Sequence, residues 1–154
     1  MVRYHGRHIK CSRFSFTLVE LLIASVVFIL TLVGILLSYM KCVELNEHSR
    51  NLSIAMRGLE SRFEDIKNTP FSQIKTSYNQ VTFTNANLNG TGVSGVDDTN
   101  PALLRVSMSF SWRQSNGRIM GEDANLNGQL NAGEDKNGNG VLDSPAQLIS
   151  YIAQ

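Results

Sequence analysis

The stretch Phe14-Ser-Phe-Thr-Leu-Val-Glu-Leu-Leu-Ile-Ala-Ser-Val-Val-Phe-Ile-Leu-Thr-Leu-Val-Gly-Ile-Leu-Leu-Ser-Tyr-Met40 limits the chain more than any other feature. From Leu21 to Met40 it holds no charged residue and no proline. A run of about 20 such residues is what a helix needs to cross the hydrocarbon core of a bilayer, where each main-chain polar group must be satisfied within the segment. Two features set it apart from a plain anchor. A basic leader with Arg3, Arg7, Lys10 and Arg13 precedes it, and one acid, Glu20, stands at its start. The leader's charges hold that end in the cytoplasm, and the leader lacks the apolar core and small-x-small site of a secretory signal. An ionised carboxylate near hydrocarbon costs several kcal/mol unless it finds a partner.

The motif Ser15-Phe16-Thr17-Leu18-Val19-Glu20, followed by the apolar run, resembles the processing site of the type IV pilin family, which includes pilins, minor pilins and type II secretion pseudopilins. Ser15 stands where most members have glycine. The resemblance implies a leader, residues 1–15, removed by a prepilin peptidase, and Phe16 as the first mature residue. It also implies that Glu20 pairs with the amine of Phe16 in an adjacent protomer and so sets the register of a filament. Residues Met56 to Phe71, together with a strand ending in Trp112-Arg113, most resemble I-type minor pseudopilins and V-type minor pilins. The expected setting is the bacterial inner membrane, with the globular part periplasmic or extracellular and other pilins or pseudopilins as partners.

Beyond Met40 the pattern changes without a break. Leu45, Leu52, Met56, Leu59, Phe63 and Ile66 recur at helical spacing, while Glu47, Arg50, Arg57, Glu60, Glu64 and Lys67 take the other faces. This is an amphipathic helix with one apolar stripe. Pro70 excludes Thr69 from helical geometry, so the helix ends near Lys67. A helix from Phe16 to Lys67 has about 52 residues and a length of about 78 Å. The expected segments are therefore a membrane half at 16–40, an amphipathic half at 41–69 and a small β-rich domain at 70–154.

In that domain Val81–Thr84 reads as a short strand and Asn85–Asn100, rich in Asn, Gly, Ser and Thr, as a loop. The clearest strand is 104–113. Leu104, Val106, Met108, Phe110 and Trp112 fall on one face, and Arg105, Ser107, Ser109, Ser111 and Arg113 on the other. Ser115-Asn116-Gly117 signals a turn into a return strand at 118–120, and 147–153 reads as the closing strand. The predicted class is α+β, a long helix packed on a small antiparallel sheet.

Between those strands stand two abutting copies of D-x-N-x-N-G-x-L, beginning at Asp123 and Asp135. The first fits the calcium loop of an EF-hand to its last position. Asp123, Asn125 and Asn127 offer side-chain oxygens, Gln129 its main-chain carbonyl, and Glu134 a closing bidentate carboxylate; Gly128 permits the sharp turn and Leu130 is expected to point inward. The second offers Asp135, Asn137, Asn139, the carbonyl of Val141 and Asp143, but has Ala146 at its twelfth position. It is a weaker site, a site completed by an acid from elsewhere, or a degenerate repeat. So few carboxylates imply weak binding, with Kd on the order of 10⁻⁴–10⁻³ M. The bland alternative is a stack of Asn/Gly turns that binds nothing.

Without the leader's charges the chain keeps ten basic residues against 13 acidic ones, a net of roughly −3 that offers no basic patch for nucleic acid. Cys11 leaves with the leader, so Cys42 cannot form an internal disulfide; it can cross-link subunits or pack as a small apolar residue. His48 is the only histidine beyond the leader, expected on the polar side of the helix. No catalytic constellation is present, and no enzyme is expected. The alternatives are an uncleaved, single-pass, calcium-dependent adhesin or binding module, a tip subunit that recognises cargo through residues 85–100 or the calcium loops, and a membrane enzyme.

Overall fold

The computed structural model describes residues 17–154, so Ser15 and Phe16 lie outside the described residues. The chain divides into two units, Met1–Cys42 and Val43–Gln154. Helix α1 runs Leu18–Lys67. Thr17 caps it, its hydroxyl accepting the Glu20 N–H at 3.3 Å. The spacing Thr-x-x-Glu is that of a capping box, and an acid in the first turn suits the positive end of the helix dipole.

Within the first unit the polar side chains bond to their own helix. Ser25 donates to the Leu22 carbonyl, Thr31 to Phe28 and Ser38 to Gly34, at 2.7–2.9 Å. The hydroxyls of these three residues therefore need no outside partner, as a lipid setting requires. The large apolar side chains from Leu21 to Met40 are all exposed. This one helix is long and apolar enough to span a membrane.

In the second unit α1 buries Asn51, Ala55, Leu59 and Ile66. Leu52, Met56 and Phe63 of the expected stripe are partly buried against the same core. Leu45 is not part of it; at 65% exposure it belongs with the apolar surface that precedes it. The helix ends at Lys67, and after Pro70 a second helix, α2, covers Phe71–Tyr78. The sequence reading passed over α2, although Phe71, Ile74 and Tyr78 keep helical spacing.

Five strands form one antiparallel sheet: β1 Val81–Asn85, β2 Leu88–Asn100, β3 Leu103–Arg113, β4 Ile119–Met120 and β5 Ala146–Ala153. The order is β1-β2-β3, with β3 flanked on its far side by β4 near Trp112 and by β5 from Leu103 to Phe110. The α+β class is as expected, but residues 85–100 are not a loop. Thirteen of them form β2, which pairs along both sides. Glycine weakens an isolated strand, yet a β-carbon at Gly92 would overlap the Phe83 ring, and one at Gly90 would crowd Phe110 and Trp112. The glycines let bulky neighbours approach the backbone.

Leu104, Val106, Met108, Phe110 and Trp112 of β3 are buried with Ala55, Leu59 and Ile66 of α1. Their polar counterparts are not all solvated as expected, because Ser109 and Ser111 are also buried. The cover on that outer face is residues 121–145. Thr91 Oγ1 donates to the Leu126 carbonyl at 2.6 Å, and β-carbons at Gly121 and Gly128 would overlap Ser111 and Thr82. Small side chains on the outer face admit the insert.

The β3–β4 turn is tied to α1. Glu47 accepts from the Ser115 hydroxyl at 2.6 Å and from its N–H at 2.8 Å. His48, expected on the polar side, stacks on Trp112 with ring centroids 6.1 Å apart and meets Gln114 at 3.3 Å. The Ser115 hydroxyl, then its main-chain N–H, hold the Glu47 carboxyl below the ordinary glutamate range. A lowered folded pKa gives stabilisation that is present above the ordinary glutamate range and lost as pH falls through the folded value. Hydrogen exchange at the Ser115 amide should thus lose protection in acid, and Glu47→Gln should remove that pH dependence. Equal acid sensitivity in the variant would assign it to another group.

Candidate metal centre

The insert leaves the sheet after β4 and returns at β5, so both of its ends are held beside β3. Within it the two copies of the motif fold alike. Asp123 accepts the N–H groups of Asn127 (3.0 Å) and Gly128 (2.7 Å). Asp135 accepts those of Asn139 (3.1 Å) and Gly140 (2.9 Å), and also that of Gly138 at 2.7 Å. Asn125 and Asn127 each accept the N–H two residues on, and so do Asn137 and Asn139. Positive φ recurs at matching positions, Leu126 (59°) with Gly138 (73°) and Gly128 (71°) with Gly140 (77°).

The loops thus bend around their own carboxylates: both oxygens of Asp123 and the amide oxygens of Asn125, Asn137 and Asn139 each accept one N–H, while Asn127 Oδ1 and Asp135 Oδ1 each accept two donors. Among the expected ligands, Asn127 Oδ1, the Gln129 carbonyl and Glu134 Oε2 converge on a single donor, Asn131 Nδ2, at 3.3, 2.9 and 3.1 Å. Asn131 was not singled out from the sequence, although it stands at the ninth position, where an EF-hand loop uses a ligand that often acts through water. Leu130 does not point inward as expected: it is 41% exposed, whereas its counterpart Leu142 is buried.

Glu134 ties the two ends of the first loop together through main-chain N–H groups. Its Oε1 accepts the Ala124 N–H at 3.0 Å and its Oε2 the Asn131 N–H at 2.9 Å. The Asn131 main-chain N–H is the chief cause holding its carboxyl below the ordinary glutamate range, and burial opposes it. In the second loop the corresponding donors are Lys136 and Asp143. They give their N–H groups to Glu122, to Oε1 and Oε2 respectively, both at 3.1 Å. The sequence reading passed over Glu122 because it lies before the first motif. The available signal was the dipeptide Glu-Asp, present at 122–123 and again at 134–135.

Glu122, Asp123 and Glu134 are all buried. Among the described residues no lysine or arginine forms an ion pair with them. Buried carboxylates are ordinarily paired or bound to metal. No three Asp, Glu, His or Cys side chains among the described residues gather as a metal-binding group. A cation here would therefore depend on amide and main-chain oxygens, a donor set that suits calcium and not zinc.

Glu20, the remaining site residue within the described part, is exposed in the first turn of α1, and Cys42 is exposed as well. Compared with protein-family models, curated proteins and solved structures, the chain finds no match.

Proposed function

We propose that the chain is a minor pilin or pseudopilin subunit of a type IV pilus or type II secretion filament. It is cut before Phe16 by a prepilin peptidase and assembles through its N-terminal helix. Calcium held by the first loop, through Asp123, Asn125, Asn127, Gln129 and Glu134, has a structural role. It offsets the ordering entropy of a segment with few apolar residues, and the second loop offers further ligands. The role is non-catalytic and needs no nucleic acid.

The observation that carries this reading is the exposed apolar surface of α1 from Leu21 to Met40, led by Glu20. Lipid covers such a surface before assembly, and neighbouring helices cover it afterwards. In a filament, Glu20 meets the amine of Phe16 in the next protomer. A second reading, an uncleaved anchored calcium-dependent binding module, draws on the contact between Thr17 and the Glu20 main chain. That bond uses the Glu20 main chain, and its carboxylate in the first turn is favoured by the positive end of the helix dipole, a local use that needs no neighbour.

The two separate on the mass of the mature N-terminus after co-expression with a prepilin peptidase. The filament reading expects a chain that begins at Phe16, with or without a methyl group, and Ser15→Arg should abolish the cut. An intact Met1 in the wild type would overturn it in favour of the anchored module.

A further inference from the structure

We infer that the groove between α1 and the free edge of β1 is a docking site for an extended, acidic segment of another protein chain. The inference uses no residue of the apolar run or of the insert, so it depends on neither the filament reading nor the calcium reading.

The strand supplies one wall. β1 pairs with β2 alone, so its other edge is open among the described residues. An open edge offers main-chain N–H and C=O groups to an extended chain laid beside it. Phe83, Thr84 and Asn85 of that strand line a cavity of about 450 Å³, whose opposite wall is the stretch of α1 from Ile54 to Asp65. That volume falls among ordinary ligand pockets, about 300–1,000 Å³. Strand and helix meet where Asn85 Nδ2 donates to the Ile54 carbonyl at 3.4 Å. Gly58 permits this approach, because a β-carbon there would lie 2.9 Å from the same nitrogen.

Two cations give the groove its sign. Arg57 and Arg62 line it together with one acid, Asp65, and neither arginine forms an ion pair among the described residues. Arg62 is the stronger pointer. Its guanidinium lies over the Tyr78 ring, 4.8 Å from the centroid, and over Phe83 at 5.6 Å. Its Nε is enclosed and meets no acceptor, while its terminal nitrogens are not enclosed. The aromatic rings hold the guanidinium plane without neutralising its charge. What remains is a partly buried cation with its outer edge unpaired, and that edge is the planar fork that fits a carboxylate.

These two walls select one kind of occupant. Beyond the leader the chain is acidic overall, with ten basic residues against 13 acidic ones, so a basic groove is a local exception. Charge complementarity therefore favours an acidic partner. In a peptide added to β1, alternate side chains face the same way. An Asp or Glu at one of those positions meets Arg62 while the peptide main chain pairs with the strand.

The test titrates the full chain in micelles of uncharged detergent with a labelled peptide of about six residues alternating Glu and Thr, a strand's usual length. The same peptide with Gln for Glu is the control. The wild type should bind the Glu peptide at least tenfold more tightly than the Gln peptide, the worth of one charge-assisted hydrogen bond. Arg62→Gln should remove most of that difference, and Arg57→Gln, at an exposed position, should reduce it about twofold to fivefold. On binding, the NMR signals of the Thr82–Asn85 amides should shift. Fluorescence of Trp112 reports whether each variant is folded. Should Arg62→Gln fail to fold, Arg62→Lys, which keeps the charge and loses the fork, should also weaken the Glu peptide. Absence of binding to the wild type, equal affinity for the two peptides, or shifts that avoid β1 would overturn the inference. So would inorganic phosphate that binds as tightly as the Glu peptide, since the groove would then be a small-anion site.

Discussion

Gly128→Ala should destabilise the globular unit by about 2–5 kcal/mol and disorder the first loop. Two causes add. Gly128 has φ of +71°, where a β-carbon costs roughly 1–2 kcal/mol. That β-carbon would also overlap Thr82 Cγ2 and press on Thr91, and such overpacking costs about 1–3 kcal/mol. Gly133 serves as the control, since its φ is +86° but nothing lies within 4 Å of its would-be β-carbon. Gly133→Ala should therefore show only the conformational part, about 1–2 kcal/mol. Urea unfolding in micelles, followed by Trp112 fluorescence, measures both. Equal losses in the two variants would mean that the insert is not pressed against β1 and β2, and the description of the outer face would fail with it.

Trp112→Ala should cost about 3–5 kcal/mol, the range for removing a large aromatic side chain from a core. Trp112 is fully buried and stacked on His48, so its loss leaves a cavity where the helix, β3 and the turn at Ser115 meet. Its Nε1 is buried with no hydrogen-bond partner, and an unsatisfied donor costs roughly 1–3 kcal/mol. Trp112→Phe retains an aromatic ring, deletes that donor and leaves a smaller cavity, so it should cost clearly less than Trp112→Ala. Pulse proteolysis measures all three proteins without using the tryptophan as the probe. Equal costs for the two variants would show that the indole N–H is satisfied in solution.

What could be read locally was read well. The end of α1 at Lys67 follows from Pro70, β3 from strict alternation between Leu104 and Trp112, and β5 from the run after Ala146. Each is a periodicity or a stop signal contained in a dozen residues. The bent conformation of the two loops follows from local pattern as well, because D-x-N-x-N-G orders a loop around its own first residue. The misreadings share a different cause. Asn85–Asn100 looked like a loop because Gly90, Gly92 and Gly95 have no intrinsic preference for a strand; the use of Gly90 and Gly92 depends on Phe83, Phe110 and Trp112 arriving against them. Ser109 and Ser111 looked solvated because alternation identifies two faces and says nothing about what covers the second. His48 looked polar until Trp112 was brought beneath it.

By itself, then, the sequence determined one apolar span, one amphipathic helix and its end, a central strand and a twice-written oxygen-rich loop. These come from interactions between residues a few positions apart, where spacing alone decides which side chains meet. The tertiary structure decided that a glycine-rich segment would be a strand, that the insert would lie on the serine face, and that Glu122 would reach the second loop rather than the first. Those outcomes depend on long-range closure, in which β3 pairs at once with β2, β4 and β5 and so brings both ends of the insert together. No local spacing encodes that arrangement, because a residue's partner is chosen by the strand it is delivered to.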